Sequence, residues 1–112
     1  MFVVWSNQMR GELEDVPRAA ALMPDPRARH FWDDRRLVGT LYQTLELGEQ
    51  KVRGDEPAWD VWLLFGPDAR WTAEGTAPAP AWWEHQLQGM PDERRLDPRR
   101  FALEAARLAR PE

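Results

Sequence analysis

The sequence of 112 residues contains no cysteine, one lysine and two histidines. The lack of cysteine excludes disulfide bonds, thiolate metal ligands and a dithiol redox site. No apolar run approaches the roughly 20 residues that a membrane-spanning helix needs. The net charge of -4 argues against nucleic acid and against an anionic membrane as partners. Because the N-terminus shows no basic stretch followed by an apolar stretch, we expect a cytoplasmic protein.

Tryptophan is the abundant residue that matters most for folding, since it occurs seven times. Burial of one large side chain stabilises a fold by about 2–3 kcal/mol. Seven tryptophans therefore let a short chain form a core that would otherwise be marginal. With 43% hydrophobic and 30% charged residues, the composition is that of a globular protein. We predict one domain over residues 1–112.

The first part of the sequence predicts two strands joined by a helix. Residues 2–5 form a continuous apolar run, which is typical of a strand buried on both faces. Residues 28–33 predict a second strand. The helix between them begins near Asp15, because Pro17 fits only into a first turn. A strand, a helix and a strand with a short crossover form a parallel pair.

The rest of the sequence predicts a second helix, a central strand and a closing helix. Asp33 or Asp34 caps the second helix, and Gly48 ends it. Residues 58–65 give the strongest strand signal and predict a central strand. The remaining predicted elements are a turn at 66–69, a return strand that begins at Arg70 and Trp71, a helical turn within 82–87, and a helix that Asp97 and Pro98 begin. The order β-α-β-α-β-β-α predicts an α/β fold in which helices cover a four-stranded mixed sheet.

This order of elements, together with the first residues of the chain, resembles the thioredoxin-like fold. Residues 2–12, with the sequence FVVWSNQMRGE, look like the family's strand that ends in tryptophan and the redox loop that follows it. By that match, Met9 and Glu12 stand where the family has the two cysteines of its C-x-x-C motif. Dithiol exchange needs a thiolate, which neither residue supplies. The resemblance therefore implies a redox-inactive member of the family.

Further positions carry the same resemblance. Pro57 looks like the cis-proline that faces the redox loop in this family, and residues 66–69 and 96–110 resemble its hairpin turn and its closing helix. Because thioredoxin-like folds host many unrelated roles, we expect a binding or scaffold protein rather than an oxidoreductase. The residues expected to contact an unknown protein partner are Met9, Glu12, Pro57, Trp82 and Trp83.

Asp60 suggests an alternative, enzymatic function. It lies three residues after Pro57 on a strand that is otherwise predicted to be buried, and a buried carboxylate must be paired, hydrogen-bonded or protonated. In a small enzyme, Asp60 would be the catalytic acid, with Glu12 or His30 across a cleft near Pro57. In the structural alternative, its carboxylate binds backbone N–H groups or an arginine.

A third function rests on exposed tryptophan. On a helix, the adjacent Trp82 and Trp83 would point about 100° apart. One could then pack on the sheet while the other forms a platform for a carbohydrate or a proline-rich peptide. This alternative requires that at least one of Trp71, Trp82 and Trp83 is exposed. Otherwise the adjacent tryptophans only cover an open face of the sheet.

The sequence predicts no cofactor and no metal site. The only histidines, His30 and His85, are far apart in the sequence, which is weak evidence for a metal, and we expect His85 to bond to the backbone. P-loop, dinucleotide-binding and zinc-protease motifs are missing. The arginines within residues 94–100 alternate with acids and predict a solvated face. A sheet without the family's first strand leaves a free edge, so a homodimer is a further alternative.

Overall fold

The computed structural model describes residues 1–44 and 57–110. Its elements, in chain order, are strand β1 (Phe2–Ser6), helix α1 (Val16–Ala20), strand β2 (Arg29–Asp33), helix α2 (Leu37–Thr44), strands β3 (Val61–Leu64) and β4 (Trp82–His85), and helix α3 (Pro98–Leu108). Short 3-10 turns lie at Gln8–Arg10, Leu13–Asp15 and Asp92–Arg94. Two predicted features lie outside the described residues, namely the helix end at Gly48 and the cis peptide bond between Glu56 and Pro57.

The strands β1 and β2 form a parallel pair, as the sequence predicts. Phe2 pairs with Arg29 and Trp5 with Trp32. Burial of β1 on both faces is wrong, however, because Phe2 is 66% exposed and alternate residues after it are only partly covered. Side chains alternate between the two faces of a strand. Only the face that carries Val3 and Trp5 is half-buried along its length.

Aspartates begin two of the helices at the predicted places. The carboxylate of Asp33 accepts hydrogen bonds from the N–H groups of Leu37 and Val38, at 2.9 and 2.8 Å. The carboxylate of Asp97 accepts from two N–H groups in the first turn of α3, at 2.9 and 3.3 Å. Such caps satisfy N–H groups that have no partner within the helix. Within residues 1–44 and 57–110, no helix is long and apolar enough to cross a membrane.

The predicted four-stranded mixed sheet is wrong. The described residues contain two separate sheets of two strands each, the parallel pair β1–β2 and the antiparallel pair β3–β4. The strand β3 does not pair with the predicted return strand at Arg70 and Trp71. It pairs with β4, so that Leu63 lies opposite Trp83. All four residues of β3 are half-buried, which fits a strand with one neighbour better than a central strand with two.

The helical turn predicted within residues 82–87 is also wrong, because Trp82–His85 forms the strand β4. Backbone hydrogen bonds extend the pairing with β3 at both ends of this strand. The N–H of Ala81 donates to Leu64 O at 2.8 Å, and the N–H of Gln86 donates to Asp60 O at 3.0 Å. Aromatic side chains favour strands when they can pack on a pleated surface. The partner strand β3 supplies that surface, so pairing decides against the helix.

Tyr42 on α2 is buried in the first half of the chain, and a core cluster of buried side chains lies in the second half. Its buried residues are Trp83, Leu87 and Met90, and the half-buried Ala58, Trp59, Val61 and Leu63 pack on them. The first half joins this core at α2, where the N–H of Ala58 donates to Gly39 O at 2.9 Å. A β-carbon at Gly39 would lie 2.5 Å from Ala58 O. This close approach explains why a glycine stands inside α2, although glycine has a poor helix propensity.

Candidate functional site

The residues that the resemblance would place at a redox loop lie in different surroundings. Gln8–Arg10 forms a 3-10 turn directly after β1. Glu12 is exposed and precedes the next turn, where its N–H donates to Asp15 Oδ2 at 3.0 Å. Pro57 is half-buried and lies against α2 at Gly39. The contacts of Glu12 and Pro57 therefore do not define a common cleft, and a partner site at Met9, Glu12 and Pro57 stays a prediction.

Asp60 is exposed and lies before β3, so its predicted place on a buried strand is wrong. Its backbone has a positive φ of 50°, a conformation that aspartate and asparagine tolerate better than most residues. Atoms around the carboxyl group still remove enough water to raise the pKa of Asp60. His30 is not its partner in the described contacts, since His30 Nδ1 accepts a hydrogen bond from Trp5 Nε1 at 3.0 Å.

The tryptophans predicted as a platform are mostly packed against protein. Trp83 is buried in the core, and Trp82 is half-buried. The guanidinium carbon of Arg94 lies 4.3 Å from the centre of the Trp82 ring and 5.0 Å from that of Trp83. Trp71 is 51% exposed, although its ring also contacts Phe65 at a centroid distance of 4.8 Å. A tryptophan platform would therefore need Trp71 or the free part of Trp82.

Glu84 on β4 is a completely buried carboxylate that the sequence reasoning missed. Its Oε1 accepts from Arg100 Nε at 2.7 Å and from Trp82 Nε1 at 3.0 Å, and its Oε2 accepts from the N–H of Asp97 at 2.7 Å. Burial alone would raise the pKa of Glu84, but these hydrogen bonds and the charge of Arg100 outweigh burial and lower it. The bonds tie β4 to the start of α3, so we assign Glu84 a structural role.

The arginines near α3 do not form a purely solvated face, and this prediction is wrong for two of them. Arg100 pairs with Glu84, and the hydrogen bond raises the pKa of Arg100. Arg94 covers two tryptophan rings and donates from Nη1 to Trp83 O at 3.3 Å. Guanidinium groups can pack on aromatic faces and still reach water. The alternation of charges in the sequence does not reveal which arginine contacts a buried acid.

His85 is completely buried and bonded to the backbone, as the sequence predicts. Its Nε2 lies 2.7 Å from Pro91 O, and its Nδ1 accepts from the N–H of Leu87 at 3.0 Å. Both ring nitrogens are therefore occupied. Among the residues that the structure describes, no group of three or more histidines, aspartates and glutamates could hold a metal ion.

One face of the β1–β2 sheet exposes apolar side chains in the described part of the chain, and we call it the Phe face. It is formed by Phe2, Val4, Arg29 and Phe31, which the parallel register places on one side of the sheet. Phe2, Val4 and Phe31 are 66%, 40% and 45% exposed. The Arg29 guanidinium carbon lies 5.9 Å from the centres of both phenylalanine rings. These residues thus combine exposed aromatic surface with a positive charge.

The sequence carried a signal for this face that the prediction did not use. Arg29 and Phe31 are two residues apart, so on a strand they share a face. An arginine is rarely fully buried without a partner, so its position indicates that the face reaches solvent.

No protein-family model, no curated protein and no solved structure matches this chain. The resemblance to the thioredoxin-like family therefore stays a prediction, although the four-stranded sheet expected with it is wrong.

Proposed function

We propose that this chain is a non-catalytic binding protein that docks a partner protein on the Phe face. The observation that carries the proposal is the exposure of Phe2, Val4 and Phe31 on one side of a parallel sheet. Parallel sheets normally have both faces covered, and contiguous exposed apolar surface marks interaction sites. Protein binding is also the function that the sequence predicts, but the proposed binding surface differs from the predicted one. The cytoplasmic location stays a prediction.

The size of the Phe face sets the expected strength of binding. The exposed parts of its three apolar side chains amount to about 300 Å². At about 25 cal/mol per Å², complete coverage would contribute about 7 kcal/mol. Part of this is lost to the entropy of association and to the ordering of side chains. We therefore expect a reversible complex of modest affinity.

A catalytic role for Asp60 is the second candidate function. Two observations favour it, namely its left-handed backbone and the raised pKa of its carboxyl group. Strained backbone and perturbed pKa values are both more frequent at functional sites than elsewhere. The described contacts of His30 and Glu12 are with Trp5 and Asp15 and not with Asp60, so binding on the Phe face is the better-supported function.

Site-specific photo-cross-linking tests the proposed function. The photoreactive residue p-benzoylphenylalanine would replace Phe31 on the Phe face or, as the matched control, Leu103, which is exposed on α3. We expect one discrete adduct from position 31 in cells that naturally produce the protein, and none from position 103. The second substitution Phe2→Ser should abolish the adduct, because it removes the neighbouring aromatic surface. Equal cross-linking from both positions, or none from position 31, would contradict the proposal.

A further inference from the structure

We infer that the partner of the Phe face is a short protein segment that carries apolar side chains and a carboxylate for Arg29. This inference rests on the proposed function and adds the chemistry of the occupant. It follows from the charge on the face and from the small area of the face.

Arg29 is a positive charge that this protein does not neutralise in its described part. Its guanidinium contacts the rings of Phe2 and Phe31, and it forms no ion pair with residues 1–44 or 57–110. By contrast, the nearby Arg27 binds Asp25 at 2.6 Å. The acid at the other end of β2, Asp33, already accepts hydrogen bonds on both carboxylate oxygens.

A guanidinium that lies beside two aromatic rings, 5.9 Å from the centre of each, is well suited to a carboxylate. Its planar donors can bind both oxygens at once, which strengthens the pair and fixes its geometry. When a partner covers Phe2 and Phe31, water is removed around Arg29, and the attraction between the two charges increases. An apolar partner without an acid would instead leave Arg29 partly desolvated and unpaired, which is unfavourable.

The area of the Phe face favours a short segment over a second copy of this chain. A stable dimer buries about 800 Å² on each subunit, and the apolar side chains here expose about 300 Å². The strand β1 has five residues and is about 17 Å long, which matches an extended segment of similar length.

Selection of peptides from a random library tests the inference on the full chain. Random seven-residue peptides displayed on phage would be selected against the protein, and synthetic copies would be measured by fluorescence anisotropy. We expect the selected peptides to contain aspartate or glutamate between apolar residues. Their Kd should rise at least tenfold in Arg29→Gln and remain unchanged in the control Arg18→Gln, whose side chain is exposed and lies outside the face. Added salt should weaken binding to the wild type more than binding to Arg29→Gln.

The outcomes separate this inference from the proposed function. Some selected peptides could depend on Phe31, show no preference for acidic residues and bind Arg29→Gln as well as wild type. This result would refute the inference of an acidic partner but would support binding at the Phe face. Peptides whose affinity changes in neither Phe2→Ser nor Phe31→Ser, or a selection that enriches nothing, would count against both. A wild-type dimer in sedimentation that Phe31→Ser converts to monomer would assign the face to a second copy and overturn the inference. Circular dichroism checks that each variant is folded.

Discussion

The replacement of Glu84 by glutamine tests whether a buried charge network stabilises the second half of the chain. In the wild type, three donors converge on this completely buried carboxylate, from Arg100, Trp82 and the backbone of Asp97. Glutamine keeps the shape of the side chain. Its NH2 group, however, must replace one of the two acceptor oxygens and then faces a donor. The variant therefore loses at least one hydrogen bond and the ion pair.

The magnitude follows from the burial of the two partners. Removal of one partner from a buried ion pair destabilises a protein by about 3–5 kcal/mol. The Arg100 side chain is 35% exposed, so its guanidinium can turn toward water when Glu84 loses its charge. We therefore expect a loss of about 2–3 kcal/mol in the free energy of unfolding for Glu84→Gln. For a chain of this length, that loss lowers the Tm by about 10 °C.

The pH dependence gives a second, independent measurement. The pKa of Glu84 is lowered in the folded state from its ordinary value near 4.5, because the hydrogen bonds outweigh the effect of burial. A carboxyl group of this kind stabilises the fold above its unfolded pKa, and the stabilisation is lost as the pH falls through the folded pKa. The difference in stability between wild type and Glu84→Gln should therefore be complete at neutral pH and shrink below about pH 4.

Urea unfolding, followed by tryptophan fluorescence and circular dichroism, measures both effects. Glu104→Gln is the matched control, since Glu104 is 25% exposed and pairs at 2.8 Å on α3 with Arg107, which is 59% exposed. Such partly exposed pairs contribute less than about 1 kcal/mol. The reasoning is refuted if Glu84→Gln is no less stable than Glu104→Gln at neutral pH, or if the loss is the same at acidic pH.

Two further predictions concern the junction of the two halves and the backbone at Asp60. Gly39→Ala should lower the free energy of unfolding by about 1–3 kcal/mol in urea titrations, because the added β-carbon meets Ala58 O. This clash outweighs the better helix propensity of alanine. Equal or higher stability of the variant would contradict the close approach. An NMR titration should give Asp60 a pKa above its ordinary value of 3.8, because its carboxyl group is partly desolvated. Asp60→Asn should then leave stability at neutral pH unchanged or slightly raised, whereas Asp60→Ala should lower it by about 1 kcal/mol, since alanine disfavours the left-handed backbone.

Local signals in the sequence predicted local structure well. The predicted cap at Asp33 or Asp34 and the Asp97–Pro98 pair placed the starts of α2 and α3, because a capping carboxylate acts within its own first turn. The strand–helix–strand pattern predicted the parallel pairing of β1 and β2, since a short crossover leaves few other arrangements. These features depend on residues that are close together in the chain.

Long-range pairing could not be predicted in the same way. The apolar run from Val61 to Leu64 fits a central strand and an edge strand equally well, because hydrophobic pattern reports burial and not the number of neighbours. Trp82–His85 is too short for its period to separate helix from strand. The choice depends on whether β3 lies beside it, which is a contact between residues about 20 positions apart.

The exposure of the Phe face was missed for a related reason. A run of apolar residues such as 2–5 predicts a strand buried on both faces, because a folded monomer usually covers such a strand with its own side chains. In this protein the Val3 and Trp5 side is half-buried, while the Phe2 and Val4 side remains open. Sequence pattern alone cannot distinguish apolar surface covered by the same chain from apolar surface left for a partner.

The two sheets differ in whether their polar and aromatic groups are paired within the chain, and the difference bears on function. The β3–β4 sheet buries a carboxylate and satisfies it with three donors, so its polar groups are paired within the chain. The β1–β2 sheet leaves aromatic surface and the charge of Arg29 without a partner in the described residues. A ligand that binds only the folded state stabilises that state. Coverage of the Phe face by a partner would therefore raise the free energy of unfolding of the chain.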